Sequence, residues 1–426
     1  MSTVAPWANV GGLRPKRQSM AQRRSPVVGR RGGRPTKQKP QPTADPCDIA
    51  LPGDETIAGV IAGMAAAVDC IEAQTRGCRC IFEQLAEQKR QQQDEVALCG
   101  GMEAVVSAMV AHPEVSELQL GGARAIERLC NGHAKNVHAL LRGGGLEALL
   151  VSLARSPREA ALQEVGCKVL RNATACDAES QAKVAQLGGI QAALRALSAN
   201  SDAAGVQDAG LRALRELAAY SAANQEEIVM RGGVQVVLRS MERHLASPTV
   251  QVLACGVFRN LTATSAAHQD AVLSRGGAEA VMAGMAAHAE VADVQQAGCW
   301  ALFCLCVHNV ELQKALGGGA TVSLALKAME RHRQDARVQE AGCWLAKAMA
   351  TQIMAASMSQ AMRMSQAVLK AMDGHRSAPA VQAAASGALR ALAARDRCGW
   401  MGAACLGRCG RFGRSTNRTA LDVIRE

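Results

Sequence analysis

Aromatic side chains are almost missing from this chain. Four Trp, one Tyr and four Phe make up 2% of its 426 residues, which leaves little of the aromatic signal that strands carry. No stretch reaches the ~18 unbroken apolar residues of a membrane span, and the start lacks the apolar core of a secretory signal. Lys-Ser or Lys-Thr never follows a glycine pair, which excludes a P-loop. Nucleophile–base pairs, carboxylate dyads and zinc spacing are missing too, so the chain is expected to be noncatalytic, with no cofactor and no metal. What is abundant is Ala, Leu, Met, Gln, Glu and Arg between short Gly, Pro and Ser breaks. That mixture predicts helix throughout.

A glutamine sets the rhythm. Gln74, Gln119, Gln163, Gln207, Gln251, Gln295, Gln339 and Gln382 are separated by 45, then 44 five times, then 43 residues. Their surroundings recur, as in Val206-Gln207-Asp208-Ala209-Gly210 and Val294-Gln295-Gln296-Ala297-Gly298. A fixed period of this size is the signature of a solenoid whose units bury their apolar faces only against neighbours.

Other columns keep the same beat. Glycine pairs stand at 100–101, 144–145, 188–189, 232–233 and 276–277 and return as Gly317–Gly319. They suit helix ends that need a left-handed residue and a sharp turn. Three residues after each glutamine only Gly or Ala occurs, which predicts close approach of two helix backbones. Four residues after it stand Cys78, Cys167, Cys255, Cys299 and Cys343. Stacked units lie ~8–10 Å apart, too far for disulfides. The thiols should therefore be reduced packing groups, and a cytoplasmic or nuclear location follows. Seven residues before the glutamine come His112, His244, His288, His332 and His375, expected to cap the second helix of each unit at its negative end.

One unit, residues 224–263, shows the layout. A short helix over Asn224–Met230 breaks at Gly232-Gly233. An amphipathic helix follows over Val234–His244, stopped by Ser247 and Pro248, and a longer apolar stripe runs on from Val250. Three helices, the Gly-Gly break and Val-Gln followed by small-small-Trp-Ala-Leu, clearest in Val294 to Leu302, resemble the armadillo repeat. The Ala-Met-x-x-His and Gly-Cys variants resemble the armadillo segment of leucine-rich-repeat kinases, although no kinase signature is present. The resemblance covers residues 54–394, about eight units, and implies an all-α, right-handed solenoid of three-helix repeats.

It also implies that the third helices line a concave groove for extended peptides. The column held by Trp in import receptors reads Arg79, Arg124, Lys168, Arg212, Gly256, Trp300, Trp344 and Gly387. One turn on, Arg171, Arg215 and Arg259 add charge. Import receptors pair the Trp with an Asn four residues later. Here Asn172 and Asn260 follow Lys168 and Gly256, so capture of basic peptides is the least favoured reading. The stripe suits an acidic or phosphorylated segment, since arginine forks bind carboxylate and phosphate. Trp300 and Trp344 would add an apolar anchor, while Glu127, Glu216 and other acids offer the cations partners within the groove.

The net charge of +11 belongs to the ends. Residues 1–44 carry ten basic side chains and no acid, residues 395–426 contribute +4, and the body is left at −3. Residues 1–53, rich in Pro, Gly and Gln, read as a disordered basic tail, within which Gly32-Gly33-Arg34-Pro35 loosely resembles an AT-hook. Residues 395–426 form a Gly/Arg/Cys tail without a recognised mechanism. The leading function is a protein-binding scaffold. A nucleic-acid-associated protein that uses its tails is the alternative.

Overall fold

A computed structural model describes residues 56–394 apart from positions 88, 308, 317 and 318. Both tails, the AT-hook-like segment and most of the Gly317–Gly319 triplet fall outside the described residues. Every regular element described is a helix. Units 2–8, numbered by their glutamines, each contribute three helices, the first short and, in units 2–6, the third the longest. Unit 1 contributes Ile57–Ala66 and Ile71–Gln84 as its second and third. Second helices pack on second helices, and third on third, along the row.

The repeated glutamine is the hinge pin of each unit. All eight are buried. Each donates from Nε2 to two carbonyls at the end of its own second helix, ten and seven residues back. Gln119 reaches Met109 and His112 at 2.8 and 3.0 Å, and Gln207 reaches Leu197 and Asn200 at 2.9 and 3.0 Å. Gln382 repeats the pattern on Met372 and His375. The carbonyl ten residues back is one that a helix end leaves without a helical partner, and the one seven back also accepts a backbone N–H, as Asn200 O does from Ala203. One amide bridges the two and fixes where the third helix begins.

The histidines sit where the sequence puts them, as C-cap residues, but their rings do something else. Nε2 of His112 donates to Val68 O at 2.7 Å, and His244, His288, His332 and His375 reach Ser201, Leu245, Ala289 and Arg333. Each acceptor lies in the preceding unit, so the column ties neighbours together rather than only meeting its own helix dipole. In unit 4, Asn200 takes the place and donates to Pro157 O at 2.8 Å.

The glycine pairs divide the labour. The first member is left-handed, with φ of 82° at Gly100 and 97° at Gly188. The second opens the next helix pressed against the residue five before it: a Cβ on Gly233 would lie 2.7 Å from Ile228 O. The small column after the glutamine meets side chains, not backbone. Met64, Met109, Leu153, Leu197, Met285 and Met329 of the second helices fold over those glycines. Ser247 and Pro248 also change role, since Ser247 caps and Pro248 begins the third helix Pro248–Thr262. The cysteine column is buried and unbridged. Burial pushes the Cys78, Cys167, Cys255 and Cys299 thiols up to about 12, which leaves them inert.

Gln207→Leu keeps the volume and removes the bridge, leaving the Leu197 carbonyl without its amide donor, while Asn200 O keeps the Ala203 N–H and the Ser240 hydroxyl, which donates to Gln207 Oε1 at 2.5 Å, falls back on Val236 O at 3.1 Å. The expected loss is about 1–3 kcal/mol, read as a lower denaturant midpoint with faster amide exchange at the start of Ala204–Ala218.

Candidate functional site

The third helices Ser116–Cys130, Ala160–Thr174, Ala204–Ala218, Pro248–Thr262 and Ala292–Cys306 lie side by side. Two concavities are sunk along them. The first, about 520 Å³, brings Arg124, Lys168, Arg171 and Arg212 together with Glu127, Glu164 and Asp208. The second, about 370 Å³, gathers Arg215, Arg259, Asn260 and Trp300 with Glu216 and Tyr220.

Half of the first cationic cluster is answered from within. Lys168 Nζ meets Glu164 at 2.7 Å, and Arg212 forks onto Asp208 at 3.0 and 3.1 Å, each one turn back on its own helix. Arg128, on the same wall, donates to Leu85 O at 3.0 Å and stacks 4.1 Å over Phe82. Arg124 and Arg171 differ: neither forms an ion pair among the described residues. A third-helix face with five cations and three carboxylates therefore presents two guanidinium groups uncommitted.

The second concavity is arranged around Arg215. Its guanidinium meets Glu216 at 2.8 Å, and its backbone carbonyl accepts from Asn260 Nδ2 at 2.9 Å. Gly256, in the import-receptor Trp column, leaves room for the Arg215 stem, because a Cβ there would lie 2.9 Å from Arg215 Cδ. Asn172 repeats the Asn260 contact on Glu127 O at 3.4 Å. The amide nitrogens of both asparagines thus hold the preceding third helix.

Three expected site residues are placed differently. Trp300 and Trp344 are only 5% and 3% exposed, so neither is an open anchor. Phe303 lies between them at 5.6 and 6.0 Å, so both described indoles serve core packing. Arg259 covers Trp300 at 5.4 Å, and Lys347 covers Trp344 at 4.5 Å. Arg79 reaches Glu117 on the next third helix at 2.7 Å and lines neither concavity.

Sequence reasoning missed Tyr220. It is the chain's single tyrosine, 72% exposed on the rim of the second concavity, and left-handed at φ 54°. Gly132, two units earlier, holds the equivalent place at φ 67°. A lone tyrosine at the place where Gly132 stands two units earlier was the available signal.

A family model, the LRRK2 ARM repeat, matches residues 146–399, more than half of the chain. The chain belongs to the armadillo repeat family. Its described residues form the all-α solenoid that the period predicts. An engineered protein shares the fold at 20% identity and TM-score 0.65, over 79% of this chain and 83% of that one. So does a chain from the structure of a conserved phosphorylation switch controlling the interaction between cadherin and beta-catenin, at 19% identity and TM-score 0.66, covering 82% and 66%. A designed armadillo repeat protein in complex with the peptide (KR)4 is similar at 16% identity and TM-score 0.51, covering 58% and 99%. No curated protein matches the chain.

Left-handed backbone costs a non-glycine residue about 1–2 kcal/mol, while glycine costs about 0.5–1 kcal/mol in chain entropy. Tyr220→Gly should therefore leave stability unchanged or raise it by up to about 1 kcal/mol in a chemical melt. Tyr220→Val should lower it.

Proposed function

We propose that this armadillo solenoid is a noncatalytic protein-binding scaffold, and that its third helices of units 2–5 take an extended acidic or phosphorylated segment. One observation carries the reading: Arg124 and Arg171 open into the same concavity without an ion-pair partner among the described residues. Guanidinium forks bind carboxylate or phosphate through paired N–H groups. Lys168 and Arg212 have only to exchange an exposed intrahelical partner, and such pairs contribute about 0–1 kcal/mol. Similar folds give general support, since one comes from work on cadherin and beta-catenin and another holds a peptide. That designed protein holds the basic peptide (KR)4, whereas the uncommitted groove side chains here are positive, which favours an acidic segment.

The test is titration of a fluorescein-labelled Asp/Glu-rich peptide, and of its phosphoserine counterpart, followed by anisotropy. Arg124→Glu with Arg171→Glu should weaken binding at least about tenfold. Lys168→Gln, whose ammonium is already paired, should weaken it less. Salt should weaken both complexes, because the charges lie near solvent. Equal binding by wild type and the double variant would remove the groove assignment.

A further inference from the structure

Units 3 and 4 meet at a cluster that no other unit repeats among the described residues. His138, on the first helix Ala134–Arg142, faces Cys176 and Asp177 in the turn leading into the first helix Ala178–Gln186. His138 Nε2 lies 2.8 Å from Asp177 Oδ2 and 3.8 Å from Cys176 Sγ, and Cys176 Sγ lies 3.2 Å from the same Oδ2. The three ligand atoms fall within 4.8 Å of one another. We propose that His138, Cys176 and Asp177 are three ligands for a divalent cation of zinc-like character, which clamps the two first helices together.

Donor chemistry comes first. An imidazole nitrogen, a thiolate sulfur and a carboxylate oxygen form a set that suits zinc or cobalt better than calcium or magnesium, which take oxygen ligands. Geometry agrees. Bond lengths of about 2.0–2.3 Å at tetrahedral angles put ligand atoms about 3.3–3.6 Å apart, and each observed separation is within about 0.6 Å of that. Three protein ligands leave the fourth position for water or an outside group, which is the open type of zinc site.

Capping alone does not explain the cluster. Asp177 Oδ1 accepts the Ser180 N–H at 2.7 Å, which completes the helix cap with one oxygen. The equivalent caps in the next two units are Ser221 and Ser265, each with a single oxygen. Asp177 adds a second oxygen, and that one is turned toward His138 and Cys176. The Ser180 amide thus acts as the outer contact that fixes a ligating carboxylate.

Proton balance is simple. The cation takes Sγ as thiolate and releases the thiol proton to solvent. The neutral imidazole keeps its proton by moving it from Nε2 to Nδ1, so on the order of one proton leaves per ion.

The experiment uses the full chain, reduced with a non-thiol reductant and stripped of metal, titrated with Co²⁺ and followed by absorption. A thiolate-to-cobalt charge-transfer band with tetrahedral visible bands is expected. Cys176→Ser should remove that increment. His138→Gln and Asp177→Asn should weaken binding at least about tenfold, and Asn keeps the cap because it ranks with Asp at that position. Zn²⁺ should displace Co²⁺ and raise the melting midpoint of the wild type but not of Cys176→Ser. No charge-transfer band, or the same spectrum and stoichiometry in wild type and Cys176→Ser, would overturn the assignment and leave a hydrogen-bonded cap. The tail cysteines Cys398, Cys405 and Cys409 are common to all variants and cancel in the difference.

Discussion

One buried amide, used eight times, fixes the geometry on which everything else rests. A second helix ending in a short loop leaves carbonyls that water would normally satisfy. The glutamine of the third helix covers them instead, at 2.7–3.1 Å in every unit. A shorter side chain would not span the gap, and an apolar one would leave the acceptor ten residues back unpaired in a buried place. The loop therefore has one conformation, the third helix one starting point, and the unit one shape. The histidine ring then carries that register to the preceding unit. Solenoid stability is a sum of unit and neighbour terms, and here both terms run through the same loop.

Because each third helix starts at a fixed place, its outward residues fall into rows. Row chemistry is then decided by what stands one turn away. Lys168 and Arg212 have acids four residues earlier, in the favourable order along a helix. The corresponding partner of Arg124 would be Leu120, and that of Arg171 is Cys167. The same column thus contains both self-neutralised and uncommitted cations. A count of positive residues overstates the stripe, and the pairing pattern leaves its uncommitted cations in units 2 and 3.

Period, glycine pairs and the Cys and His columns were legible because each is a repeated local need: a left-handed φ, a tight contact, a helix end. Side-chain direction was not. Trp300 stands in the import-receptor Trp column, yet Phe303 and Trp344 beside it make burial more favourable than exposure. The glycines after Gln119 and Gln295 read as backbone contacts, whereas Met109 and Met285 fill the space, since a flexible thioether adapts where a branched side chain would not. Gln225 and Gln313 stand in the same column as three other first-helix glutamines but turn back to the preceding unit's third helix, at Ala218 O and Cys306 O. Gln93, Gln181 and Gln269, 88 residues apart, each reach the end of their own unit's third helix. Asn172 and Asn260 share that spacing.

In a chain built from copies, a residue that departs from its column carries the information that the copies cannot. Gly132, Cys176 and Tyr220 occupy one column, in the turn between a third helix and the next first helix. Glycine there is what the left-handed backbone asks for, and Gly132 supplies it. Unit 4 installs a thiol facing His138 and Asp177, and unit 5 installs an exposed ring despite an unfavourable φ. Neither choice improves packing: Cys176 is partly exposed and Tyr220 nearly fully so. Backbone strain that brings no burial persists where the side chain has another use. This turn column, unlike the buried tryptophan column, presents to solvent side chains that change from unit to unit.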